Sequence, residues 1–594
     1  MVLVGILSIF QAWFIPGFLF LLFYRKIKIL DVIVLSLPLS LVINYILIYV
    51  LVNLNLYSQS IFFIIILLEI ILIFSILIQR YSINFLISEI DKFFSMEKNS
   101  KLININFSLI NLIILLLLVV YSFYALKNLG QPVQAGDPLD MWNKWAISWS
   151  KNEIPYHVEY PQAVPILYSI SYVLLNSYEV EYFTSAVCLI YPIWIFVIFF
   201  RLTYLFPKKK LLIKLSLIIT TLFLLSILRN YSLFVGYSDP ILVLASTSIG
   251  YVFLYFFYEK KNNFSYEKNL SNLVLISLIA VAPAITKQMG LLVSFMFPVF
   301  YFLYNNFNDK LVYKNFIIIS LIIFIVSISW YIFPIYHYYQ LNFETTYFGK
   351  LSDSAMMGTE NSNLFMKIDY GLHYLFWKFK YLILILVLLS FKNKYSLSIF
   401  LLIVLPYFLI WSLFFVADNR NFVMVSPFLG FILSVGLINL ISFFQLLKPK
   451  IFQYSKIIII IIFSVIFMLT IQTIKNDSNL ISKSFKDKKL RGNSEINILL
   501  YNSLNSTSPD TDVFFIADSS FYYLPIIGDK FTQKSCDQFY NLIKKEIREK
   551  PFYLLLNINY CSFDNLLKDY KDFYKIDKIF DYNSYQFYFF KINY

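Results

Sequence analysis

Apolar stretches of about twenty residues recur along this chain as far as about position 474, and no other feature constrains its fold as tightly. A hydrocarbon layer about 30 Å thick takes about 20 apolar residues to cross as a helix. Inside that layer a helix satisfies its own backbone hydrogen bonds without water. Runs near 4–23, 28–52, 60–79, 106–126, 181–203, 211–228, 238–258, 270–286, 289–306, 314–334, 374–391, 396–415, 421–446 and 454–474 fit this requirement. They predict a polytopic α-helical membrane protein with about fourteen transmembrane helices. Composition agrees, since 14% of the residues are charged and the mean hydropathy is +0.69, against about 25% charged in a soluble domain.

The formal net charge of +14 reads as topology. Arg25, Lys26 and Lys28, the segment 80–101, Lys208-Lys209-Lys210, Lys260-Lys261, Lys310, Lys392 and Lys394, and Lys448 and Lys450 all fall on one side of the predicted bundle. Basic loops of this kind mark the cytoplasmic side, so no nucleic-acid partner is expected. The first 23 residues lack a basic leader and a small-residue cleavage site, and are read as a retained span. The expected setting is a bacterial plasma (inner) membrane, with membrane lipids as partners and the working face towards the periplasm.

Three segments then fall outside: a loop near 127–180, a second near 335–373, and the tail from about 475. The first contains a polar, acidic and tryptophan-rich island, Gly136-Asp137-Pro138-Leu139-Asp140-Met141-Trp142-Asn143-Lys144-Trp145-Ala146-Ile147-Ser148-Trp149. Trp142, Trp145 and Trp149 share one face of an α-helix at this spacing. Such a helix is expected to lie in the membrane interface and hold Asp137 and Asp140 just outside the hydrocarbon. A short apolar helix near 166–177 is read as a second interfacial or re-entrant helix, because a span there would invert every later loop. In the tail, 513–517, 552–556 and 586–590 have strand character, with helical patterns near 534–549 and 562–572 between them. These predict a small α/β domain outside the membrane. The expected division is 1–105 (N-terminal helices), 106–474 (membrane core) and 475–594 (outer domain). Cys536 and Cys561 either pair there or stay free, and sequence leaves both open.

Cations on the wrong side of the charge rule are more informative than those that obey it. Lys144, Arg229, Lys287 and Arg420 are placed at or near the outer interface, where a cation is costly and usually finds an anion. A lipid phosphate or pyrophosphate suits, with arginine gripping two oxygens and lysine acting as a point charge. Snorkelling, or an internal pair such as Arg420 with Asp418, is the plainer alternative for each one. Acidic groups on the same side are Asp137, Asp140, Glu159 and Asp239. A carboxylate within hydrogen-bond reach of an acceptor hydroxyl acts as a general base. Asp140 is read first as an N-cap of the tryptophan helix, and Asp239 equally as a cap before Pro240. Asp137, between glycine and proline, has no competing local task and is the leading candidate for the base. His157, His337 and His373 also fall outside. No two have metal-ligand spacing, so no metal site is assigned and no cofactor is expected.

These residues resemble the GT-C superfamily of integral-membrane glycosyltransferases, which includes protein O-mannosyltransferases, the lipid A aminoarabinose transferase and the RgtA/B/C/D-like enzymes. Asp137 matches the carboxylate of the family's first large outer loop, five residues before Trp142-Asn143-Lys144-Trp145-Ala146. Tyr160-Pro161-Gln162 is similar to its tyrosine–proline element, and Gly236-Tyr237-Ser238-Asp239-Pro240 to its aspartate–proline element. Ile285-Thr286-Lys287-Gln288-Met289-Gly290 resembles its "TK-x-x-G" element, and Asp418-Asn419-Arg420-Asn421 its arginine turn. The resemblance runs over about 106–445 and departs in one respect: three spans precede the first that leads into the loop. It implies a sugar carried on a polyprenyl phosphate and an acceptor that is a lipid, glycan or protein. Asp137, with Asp140 and Asp239 as further candidates, is implied in catalysis. Trp142, Lys144, Glu159, Tyr160, Gln162, Lys287 and Arg420 are implied in substrate binding. A transporter or flippase of an anionic lipid-linked glycan is the alternative, though no internal repeat supports it. A non-enzymatic component of envelope polysaccharide assembly is a third reading.

Overall fold

The computed structural model describes residues 2–24, 27–80, 105–129, 133, 138–155, 160–177, 181–234, 236–255, 270–304, 310–340, 366–369, 371–372, 380–414, 419–447, 513–516, 531–533, 552–557, 574–582 and 585–592. The chain forms two compact units, one of residues 1–133 and 148–474 and one of residues 134–147 and 475–594.

The first unit is a helical bundle. Its helices are α1 (Val2–Trp13), α2 (Ile15–Leu22), α3 (Ile29–Asn53), α4 (Gln59–Arg80) and α5 (Ile105–Asn128), then α6 (Lys144–Ser150), which belongs here from Ser148 onward. After these come α7 (Ala163–Leu175), α8 (Glu181–Ala186), α9 (Ile190–Leu205), α10 (Lys210–Leu233), α11 (Asp239–Phe253) and α12 (Leu270–Thr286). The last are α13 (Gly290–Tyr304), α14 (Lys310–Gln340), α15 (Lys380–Ser390), α16 (Lys394–Ile399), α17 (Leu405–Phe414) and α18 (Ser426–Leu447). Every expected span as far as residue 446 contains a helix.

Among the described residues, eight helices are long and apolar enough to cross a membrane, or nine if the bent pair α1–α2 is one span. Helices α11, α12, α13 and α15 are described over 15, 17, 15 and 11 residues, and α12, α13 and α15 each adjoin residues outside the described ones. Helices α11 and α12 are buried along nearly their whole described length. The expected span 454–474 lies outside the described residues. The first span also differs from expectation: α1 and α2 meet at a 50° bend. Pro16 in the first turn of α2 has no N–H to continue the ladder of α1, which sets the break there.

The N-terminal helices are part of this unit's core. Trp13 Nε1 donates to the Val187 carbonyl at 2.7 Å, and Trp194 Nε1 to that of Val34 at 3.0 Å. Tyr57 and Ser169 share a hydrogen bond of 3.0 Å, and Gln59 Nε2 donates to the Leu174 carbonyl at 2.8 Å. The strongest tie is buried. Asp31 on α3 accepts from Arg201 Nε at 2.6 Å and Nη2 at 2.9 Å, and from the Tyr251 hydroxyl at 2.5 Å.

Helix α7, expected at the interface or re-entrant, is buried from Ala163 to Leu174. Ser169 and Ser171 meet hydroxyls of Tyr57 and Ser8. An interfacial helix keeps one face on lipid or water, and this one keeps none, so its burial fits the re-entrant alternative. It ends at Asn176, whose φ of 47° is a left-handed cap that asparagine tolerates.

The second unit contains a five-stranded mixed sheet, β1 (Val513–Ile516), β2 (Phe531–Gln533), β3 (Phe552–Asn557), β4 (Tyr574–Tyr582) and β5 (Tyr585–Ile592), in the order β2-β1-β3-β5-β4. Strand β1 runs parallel to β2 and β3, and β5 antiparallel to β3 and β4. Strands β1, β3 and β5 fall on the three segments read as strands. The two helical patterns, Cys536 and Cys561 lie outside the described residues.

Candidate functional site

Three of the sequence elements meet at one end of the bundle. The first begins with a turn that requires glycine: Gly236 has φ of 105°, a region closed to residues with a side chain. Its carbonyl accepts the Tyr168 hydroxyl of α7 at 2.7 Å. Helix α11 then opens with Asp239 and Pro240. Proline in a first turn sacrifices no hydrogen bond, and a carboxylate there is favoured by the helix dipole.

The second element lies between α12 and α13. Lys287 follows the last residue of α12, its N–H donating to the Pro283 carbonyl at 3.1 Å, while Gly290 N–H donates to the Lys287 carbonyl at 2.8 Å. A Cβ on Gly290 would sit 1.9 Å from the Pro283 oxygen, so only glycine lets α13 start this close to α12. The tight turn points the lysine at α11. Lys287 Nζ lies 3.0 Å from Asp239 Oδ1, with the two side chains 8% and 1% exposed.

The third element is the 3₁₀ turn Asn419–Val425 that leads into α18. Phe422 packs edge-to-face or tilted against Tyr407, Phe408 and Trp411, and the Tyr407 hydroxyl donates to the Asn421 carbonyl. From this turn Arg420 stacks its guanidinium 4.7 Å from the ring centre of Tyr237, a cation–π distance. Asp239 therefore pairs with Lys287, and two residues before it Tyr237 carries the Arg420 guanidinium on its ring.

Other expected site residues are placed differently. Gln162 is buried, and both ends of its amide serve the protein itself: Trp149 Nε1 donates to Oε1 at 3.0 Å, and Nε2 donates to the Tyr160 carbonyl at 2.8 Å. It therefore holds Trp149 against the start of α7, and α7 carries Tyr168 to the Gly236 turn. Asp140 lies within the π-helical turn Pro138–Asn143. The α-helix that carries Trp145 and Trp149 begins after this turn, at Lys144.

The tryptophan face needs a correction too. Trp142, Trp145 and Trp149 are 2%, 4% and 0% exposed, so they face protein and not the lipid interface. Trp142 and Trp145 pack edge-to-face at 5.6 Å, and Trp149 lies 6.2 Å from Tyr49. A tryptophan whose N–H has a partner, as Trp149 has in Gln162, gains its full apolar area on burial. Lys144 is exposed. Asp137, Glu159, Asp418, His157 and His373 lie outside the described residues. Among the described residues no group of three or more His, Cys, Asp and Glu side chains is placed to hold a metal.

No family model and no curated protein matches the chain. A solved structure does: the crystal structure of ArnT from Cupriavidus metallidurans bound to undecaprenyl phosphate. The TM-score is 0.52 at 10% identity, over 80% of this chain and 97% of that one. The fold is GT-C-like. Likeness at this identity is one of architecture, so in this GT-C-like bundle the chemistry has to be argued from the residues in place. Two features escaped the sequence reading. Tyr168 carries no motif, and its bond to Gly236 is visible only in three dimensions. Asp31 and Arg201 fall near the ends of the expected spans 28–52 and 181–203, and their pairing across 170 residues is visible only in three dimensions.

Proposed function

We propose that the chain is a membrane glycosyltransferase that moves a hexosyl or pentosyl group from a polyprenyl-phosphate donor to a lipid, glycan or protein acceptor. The observation that carries this reading is the buried Asp239–Lys287 pair, with Arg420 stacked on Tyr237 two residues before Asp239, in a GT-C-like bundle. The ArnT structure that shares this fold holds undecaprenyl phosphate, an anionic lipid of the class such cations would grip. In the proposed topology this pair of residues, Asp239 and Lys287, faces the periplasmic side of a bacterial inner membrane. Fourteen spans, including 454–474, then place the tail outside as an α/β domain.

The acceptor oxygen attacks the anomeric carbon as the bond from that carbon to the phosphate oxygen breaks. The acceptor proton passes to a carboxylate, and the leaving phosphate gains a negative charge. Lys287 and Arg420 stabilise that charge as it forms. Asp239 acts as a positioning residue, holding Lys287 extended in a buried setting. Asp137 is proposed as the base on the strength of its sequence setting, with Asp140 as the second candidate. Trp142, Lys144, Glu159, Tyr160 and Gln162 are proposed to shape the substrate-binding loop, Gln162 by holding Trp149.

Purified full-length protein in nanodiscs, given a polyprenyl-phosphate-linked sugar and an acceptor extract, tests this. Asp137→Asn is expected to lower transfer by about 10²–10⁴-fold with unchanged membrane insertion and melting. Unchanged transfer removes Asp137 from the chemistry. Movement of the lipid-linked sugar across vesicles by a protein that transfers none would replace the enzyme with a flippase.

A further inference from the structure

At the far end of α11 from Asp239 lies an apolar cavity of about 240 Å³. Phe253 of α11, Phe297 and Phe300 of α13, and Phe428 and Phe431 of α18 form much of its wall, and Lys209 stands among its lining residues. Gly250 also lines it, and a Cβ built on Gly250 meets no atom within 4 Å. This helical glycine therefore leaves space open where any other residue would occupy it. Eleven residues separate Asp239 from Gly250, about 16 Å along a helix, so the cavity is separate from the proposed transfer site.

What fills it has to satisfy both wall and rim. Apolar space lined by phenylalanine forfeits dispersion contacts if left open and gains nothing from a small soluble anion. The rim is basic: Lys208 and Lys209 are exposed, on the 3₁₀ turn Pro207–Lys209 that leads into α10. Clustered lysines favour a phosphate. We propose that this is a binding site for an anionic phospholipid, one acyl chain in the cavity and the phosphate on Lys208 and Lys209. The occupant is a lipid of the leaflet at the lysine end of the bundle, not the sugar donor.

Native mass spectrometry of the full-length protein tests this, with phosphatidylglycerol or phosphatidylcholine of identical chains as the probe and the melting temperature as the check on folding. Retention of phosphatidylglycerol over phosphatidylcholine is expected. A lysine near a lipid surface is worth about fivefold in affinity. Lys208→Glu with Lys209→Glu is therefore expected to cut phosphatidylglycerol retention by at least about 20-fold and to leave phosphatidylcholine unchanged. Gly250→Leu fills the cavity and is expected to lower retention of both by about tenfold, while Gly250→Ala leaves both unchanged. Equal retention of the two lipids by the unaltered protein, or retention indifferent to Gly250→Leu, overturns the proposal. So does a Gly250→Leu variant that loses undecaprenyl phosphate and keeps phosphatidylglycerol, because the cavity would then belong to the carrier's isoprenoid chain. Loss with Gly250→Ala also counts against it, since that change disturbs the helix without filling the space.

Discussion

Helix α11 has a buried ion pair near each end, and the two are built for different work. Near its last turns, Tyr251 joins Arg201 on Asp31, and three donors at 2.5–2.9 Å converge on one carboxylate. Two of them come from a rigid guanidinium fork, which fixes direction as well as charge. At its start, Asp239 meets a lysine at 3.0 Å, a point charge whose donors rotate, with Arg420 stacked close by on Tyr237. The first arrangement joins α3, α9 and α11. The second joins α11 to the turn after α12 through a rotatable ammonium, the kind of contact that the proposed function assigns to an anion that arrives and leaves.

The largest expected effects come from breaking either pair on one side. Asp31→Ala strands Arg201, and Lys287→Met strands Asp239, each costing about 3–5 kcal/mol of stability, read as a shift in the denaturation midpoint. Replacing both partners sharpens the comparison. Asp31→Asn with Arg201→Met is expected to recover most of the stability and to keep sugar transfer. Asp239→Asn with Lys287→Met is expected to recover stability and leave transfer abolished. Transfer surviving the second double change would erase the distinction between the two ends.

Smaller changes probe the supports. Trp149→Phe leaves Gln162 Oε1 without its buried donor and is expected to cost about 1–3 kcal/mol in denaturation, with a weaker polyprenyl phosphate affinity as the loop loosens. Arg420→Lys keeps the charge and loses the planar stack on Tyr237, a contact worth about 0.5–2 kcal/mol. The expected result is a slightly lower denaturation midpoint together with a weaker polyprenyl phosphate affinity.

Much of this was legible in the sequence because the bilayer makes simple demands. Long apolar runs gave the helices, and charges that broke the topological rule pointed to Lys287 and Arg420. What was not legible depends on packing. Asp239 and Lys287 stand 48 residues apart, and each reads alone as a cap or a snorkelling cation; only the Gly290 turn aims one at the other. Asp31 and Arg201 lie in two expected spans 170 residues apart, and nothing in the sequence pairs them. The tryptophans of the acidic island matched the composition of an interfacial helix, since an amphipathic ring suits a membrane interface and a protein core equally. Their burial was decided by partners such as Gln162 that spacing does not reveal.

Titration of undecaprenyl phosphate against the two folded double variants tests the central claim most directly. Charge-assisted contacts to a phosphate are worth about 1.5–3 kcal/mol. Asp239→Asn with Lys287→Met is therefore expected to weaken binding at least about tenfold, and Asp31→Asn with Arg201→Met to leave it within about twofold. Equal affinities for both would contradict the claim that the start of α11 is where this protein holds its lipid phosphate.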